Sequence, residues 1–181
     1  MFDRPVRICA ATGMACLVSV PLVSCSEPEK STARPPVSIA APPTDPVSDP
    51  AHHPELIGVW NGFWSQSWLL DQVAQAQWQP VLSGTADGHL TDQLVQHKAA
   101  DLSRGVRLYG QIQPHVIAVQ VRGDQALVAD CQDASHAGQA DLAGHVKTVG
   151  VARNRVLGTV RRTPAGWRVS RVDYPGAGGG C

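Results

Sequence analysis

Between residues 55 and 76 apolar side chains recur at helical spacing. Trp60, Trp64 and Trp68 fall at i, i+4 and i+8, with Leu56 on the same side, Phe63 at its edge and Gln66 facing away. That stripe predicts a helix, in which Gly62 costs ~1 kcal/mol against alanine. From residue 77 to 105 the pattern is mixed and broken by Pro80, Gly84 and Gly88. Leu90, Leu94, Val95, Ala99 and Leu102 then keep helical spacing, so a second helix is expected, capped by Thr91 or Asp87. After Gly105 the period changes to two. Residues 107–113 read as a weak strand, and 115–121 and 125–131 as two strands flanking a Gly123-Asp124 hairpin turn. A longer β-like stretch covers 146–162, broken near Asn154, and the turn Thr163–Gly166 leads into a last strand at 167–174. Strict alternation puts Cys131 on one face with Leu127 and Ala129, and Asp130 on the other, toward solvent. Residues 133–147 are polar and match no element. Helices followed by an antiparallel meander give an α+β class, with N-terminal helices packed on a curved antiparallel sheet.

The chain ahead of this domain reads differently. Arg4 and Arg7 precede an apolar run at 8–24 that is interrupted by Thr12, Gly13, Ser19 and Pro21. A spanning helix needs about 20 apolar residues with few breaks, so the run reads as a secretory signal. Its end, Leu22-Val23-Ser24-Cys25, resembles the lipobox of bacterial lipoproteins. The resemblance implies diacylglyceryl transfer to the Cys25 thiol and cleavage before Cys25. Residues 26–54 are rich in proline and have no aromatic residue. Such a segment buries too little apolar surface to offset its ordering entropy, and proline density extends it at ~3 Å per residue. The expected organisation is therefore a signal segment at 1–24, a lipidated Cys25 with a tether to residue 54, and one domain at 55–181. The expected location is the extracytoplasmic face of a cell membrane.

Charge narrows the partners. Fifteen Lys and Arg balance 15 Asp and Glu, and no basic run offers a footprint for nucleic acid. The pair His52-His53 reads as part of a solvated linker. Walker, GxSxG, HExxH and CxxC patterns are missing from the sequence, so no metal or other cofactor is expected. Arg122-Gly123-Asp124 spells a known adhesion tripeptide, and a hairpin turn accounts for it. With the signal cysteines removed and Cys25 lipidated, Cys131 and Cys181 remain. An even pair in an oxidising compartment reads as a disulfide. A buried thiol with a free terminal one, or intermolecular pairing, are the alternatives.

The order of elements resembles the NTF2-like fold, a curved sheet wrapped around one long helix as a cone. More narrowly it is similar to actinobacterial secreted lipoproteins of unknown function. The residues that carry the likeness are WNGFW at 60–64, Gly110 with Pro114, VIAVQVRGDQALVADCQDAS at 116–135, VLGTVRRTPAGWRVSRVDY at 156–174 and the terminal Cys181. In such a cone Trp60, Phe63, Trp64 and Trp68 are core residues or the lining of a pocket. Catalytic relatives place an acid or base inside, and the candidates here are Asp130, Asp133 and His115, with Tyr109 or Tyr174 as an oxyanion donor. Nothing in the spacing ties either tyrosine to an aspartate. The leading expectation is a lipid-anchored, non-catalytic binding or scaffold module for an envelope protein or a small apolar ligand. The alternative is an isomerase- or hydrolase-like enzyme.

Overall fold

The computed structural model describes residues 48–175 and Cys181. The signal segment, the lipobox at Cys25 and nearly all of the tether lie outside the described residues.

Helix α1 spans Pro54–Leu69. Proline is at its first turn, where a missing N–H costs nothing, and Glu55 there complements the helix dipole. Its buried face is Leu56, Trp60, Phe63, Trp64 and Ser67. The helix ends earlier than residue 76 because the chain turns at Leu70: the Trp78 indole N–H donates to the Leu70 carbonyl at 3.0 Å. Helix α2, Trp78–Leu82, follows, and Trp78, Leu82 and Leu70 form a small second core. Helix α3 spans Gly88–Ser103. Of the two proposed caps, Asp87 serves, accepting from the Leu90 N–H at 2.8 Å.

Six strands follow. β1 (Val106–Tyr109) pairs antiparallel with β4 (Gly138–Asp141). β2 (Val116–Arg122), β3 (Gln125–Gln132), β5 (Asn154–Thr163) and β6 (Gly166–Asp173) form an antiparallel sheet in that order. The β2–β3 loop is Gly123-Asp124, with Gly123 at φ 59°, as a two-residue hairpin requires. The stretch from residue 146 is strand only from Asn154 onward. Val146 makes an isolated bridge to Ala140 instead. β4 has no hydrophobic pattern of its own and forms by pairing with β1.

The fold is α+β, with helices packed on antiparallel sheets. The main core lies between α1 and the inner face of the four-stranded sheet. Leu56, Trp60, Phe63 and Trp64 meet Val119, Val128, Val156, Val160 and Val169 there. Trp60 and Trp64 meet edge-on with centroids 5.7 Å apart, and Phe63 and Trp64 at 5.1 Å, arrangements that aromatic quadrupoles favour. Gly158 of β5 is the seat of Trp60: a Cβ there would lie 2.2 Å from Cζ3 of the ring.

Candidate functional site

β3 carries the residue of greatest chemical interest. Its inward positions are Ala126, Val128, Asp130 and Gln132, all buried, while Leu127 is 42% exposed. The expectation that Asp130 faces solvent is therefore corrected: it is fully buried, 0% exposed. The strand has apolar residues on both faces, so alternation alone does not choose the inner one. Contact with α1 does. The Trp60 indole N–H donates to one Asp130 carboxylate oxygen at 2.8 Å, and the His115 backbone N–H donates to the other at 2.6 Å. Burial raises the Asp130 pKa above the usual 3.8, and the bonds from Trp60 and His115 oppose that rise. The Gln132 amide lies near enough to help hold it down, yet its Nε2 has no hydrogen-bond partner.

Tyr174, just past β6, is the tyrosine that the fold brings toward Asp130. Burial around its hydroxyl, and then the Asp130 charge, push the phenol up to about 12, although the residue as a whole stays exposed. Tyr109 lies elsewhere, its hydroxyl donating to the Thr148 carbonyl at 3.1 Å.

The other candidates do not join this cluster as acids or bases. The His115 ring is exposed, 3.0 Å from the Gln113 carbonyl, and only its backbone touches Asp130. Asp133 accepts from the Ser135 hydroxyl and N–H at 2.6 and 2.9 Å. Those bonds hold its carboxyl below the usual value, and they make it a turn-forming residue. Trp60, Phe63 and Trp64, at 0, 1 and 6% exposure, are core rather than the lining of a pocket. Trp68 packs at the core's edge and donates to the Tyr109 carbonyl at 3.2 Å. They fill the space that a ligand would need, because the helix lies directly on the sheet. Cys131 and Cys181 are joined in a disulfide, with Cα atoms 5.8 Å apart. The Arg153 guanidinium donates to the Cys181 carbonyl.

Two surface features remain. A cleft of 490 Å³ lies between the first turns of α1, at Pro54, Ile57 and Asn61, and the entry to β2 at Pro114 and Val116. A second depression of 270 Å³ lies on the outer face of the four-stranded sheet, the face away from α1. Ala118 of β2, Ala129 of β3 and Leu157 of β5 stand side by side there in register, with Leu127 and Arg155 at the margins. Sequence reading missed this surface, since Leu127 and Ala129 look like core residues until the helix is known to occupy the opposite face. Among the described residues no group of three His, Cys, Asp or Glu side chains is placed to hold a metal ion. No helix among them is long and apolar enough to cross a membrane.

No protein-family model and no curated protein matches the chain. Among solved structures it is similar to the intermembrane-space region of the chloroplast protein ARC6, at 17% identity and a TM-score of 0.49, over 71% of this chain and 97% of that one.

Proposed function

We propose that this protein is an extracytoplasmic binding or scaffold module, held at a membrane by lipid on Cys25, and that its NTF2-like cone is plugged rather than open. One observation carries the non-catalytic part of this reading. The inner face of the sheet is filled by Trp60, Phe63 and Trp64, and both oxygens of its buried carboxylate, Asp130, already accept hydrogen bonds. A general base must reach a substrate proton, and Asp130 has no exposed surface from which to do so. The Cys131–Cys181 disulfide supports an oxidising compartment, and the open apolar centre of the outer sheet face supports a binding role.

The test has two arms in the native host. A fatty-acid probe should label the chain, and Cys25→Ser should abolish the label and release the protein from membranes. A photo-cross-linking residue in place of Leu127 should give a discrete adduct in the envelope, whereas the same residue in place of the exposed Gln96 on α3 should not. An unlabelled chain would remove the anchor from this reading, and indiscriminate adducts at both positions would remove the binding surface.

The enzymatic alternative rests on the neighbouring Tyr174 and Asp130. It requires that Asp130 become open to solvent, and turnover of any substrate that vanished in Asp130→Asn with folding intact would favour it.

A further inference from the structure

The outer sheet face has a charge pattern as well as an apolar centre. Along β5 the outward residues are Arg155, Leu157, Thr159 and Arg161. Arg155 borders the depression over Ala118 and Ala129, and Arg161 lies beyond Leu127 and Thr159 at the far side. Neither arginine has a hydrogen-bond or ion-pair partner among the described residues. Arg171 of β6 stands opposite Thr159, but its guanidinium is held by Asp173 at 2.7 and 2.8 Å. The other negative groups near this face are Asp124 in the hairpin, Asp87 at the start of α3, which caps its own helix, and the carboxyl end of Cys181, held beside Cys131 opposite Arg155 by the disulfide and bonded by Arg153. Two unpaired guanidinium groups therefore flank an apolar hollow, six residues apart on one strand, or about 20 Å at ~3.4 Å per residue.

We infer that this face docks an acidic–apolar segment of a partner protein, laid along β5, with an apolar side chain seated over Ala118 and Ala129 and carboxylates meeting Arg155 and Arg161. Two features favour a peptide over an anionic membrane surface. The apolar centre recedes, because the paired alanines Ala118 and Ala129 sit beside the longer Leu127 and Leu157, and a single side chain enters a hollow that a bilayer plane cannot fill. Nor do the outward residues of β3 and β5 include an aromatic, the anchor that interfacial membrane faces use. Arginine's planar fork suits paired recognition of carboxylates. The inference rests on the binding-module reading above and does not require the lipid anchor.

The test uses the full chain carrying Cys25→Ser in solution. The probe is a fluorescent peptide of about nine residues, leucine in the middle and glutamate at both ends, long enough to span the two arginines when extended. Saturable binding with Kd below about 100 µM, weakened by salt, is the expected result. The double variant Arg155→Glu/Arg161→Glu should lose binding about tenfold and gain it for the matching lysine-ended peptide, a reversal that misfolding does not produce. Ala129→Leu fills the hollow and should weaken both charge versions alike. Equal binding of the glutamate- and lysine-ended peptides to the unsubstituted face, or indifference to the arginine swap, would overturn the assignment. So would preferential binding to phosphatidylglycerol vesicles, which would give the face to a lipid surface. A chain unmarked by fatty acid in cells would sink the anchor and leave this result standing.

Discussion

The Trp60 indole N–H donates to Asp130 at 2.8 Å across 70 positions of sequence, tying α1 to the latter half of β3. The same carboxylate holds the His115 N–H at the entry to β2. Removing it strands two donors. Asp130→Ala should destabilise the fold by about 2–6 kcal/mol, from two lost partners at ~1–3 kcal/mol each. Trp60→Phe keeps most of the ring and should cost less. The two substitutions combined should be non-additive by at least ~0.5 kcal/mol, read from urea unfolding. An Asp130→Ala protein as stable as the parent would refute the tie.

The raised pKa of Asp130 has a sign that can be measured. The folded carboxyl keeps its proton to higher pH than the unfolded one at 3.8. In that window the folded state binds more protons, so stability falls as pH rises from 3.8 through the folded pKa, then levels. Asp133 and Asp141, held below 3.8 by Ser135 and His145 respectively, act in the opposite sense and in a lower window. They add stability that is lost as pH falls below 3.8. Urea midpoints between about pH 3 and pH 7 should show the downward limb in the parent and not in Asp130→Asn. Parallel profiles for the two proteins would exclude Asp130 as its source.

Gly158 is the position where the sheet yields to Trp60. Gly158→Ala drives a Cβ into a rigid core ring, and overpacking of this kind costs ~1–3 kcal/mol. The loss should be smaller when Gly158→Ala is made in a Trp60→Leu background than in the parent, because the clash is then gone. A Gly158→Ala protein that melts at the parent temperature would contradict the contact.

Lys98 of α3 and Asp71 after α1 form an ion pair with side chains 5% and 10% exposed. Removing one partner leaves a buried charge, at about 3–5 kcal/mol. Lys98→Met should therefore destabilise strongly, and Lys98→Met with Asp71→Leu should recover most of the loss in chemical denaturation. If the single variant is as stable as the parent, the pair is solvated.

The Cys131–Cys181 bridge closes a separation of 50 residues, worth about 4 kcal/mol in the chain-entropy account. Cys181→Ser, or reduction, should lower stability by up to that amount. Intact-mass measurement of the folded chain should register two added hydrogen atoms on reduction, as two electrons and two protons convert the bridge to two thiols. An unchanged mass would mean free thiols.

Helices α1 and α3 and most strands are legible from spacing alone, whereas the short α2 is not. The Trp60–Trp64–Trp68 stripe needs no partner to be read as one face of α1, because helical geometry aligns those positions whatever they touch. The Gly123-Asp124 turn is equally local. β4 is not: Gly138–Asp141 is polar and glycine-bearing, and it becomes a strand only through backbone bonds to β1, some thirty positions earlier. Asp130 is the clearest case. A charged residue between apolar neighbours on a two-sided apolar strand argues for solvent, and only the docking of Trp60 turns it inward.

Local periodicity thus determined most element types and the α+β class, since each depends on residues close in sequence. Which face of the central sheet is core, which tryptophans are filled in, where the buried carboxylate points and which apolar surface is left open were decided by tertiary packing. The physical reason is that a strand with apolar side chains on both faces is nearly degenerate in isolation, and the burial energy of one aromatic helix breaks the tie.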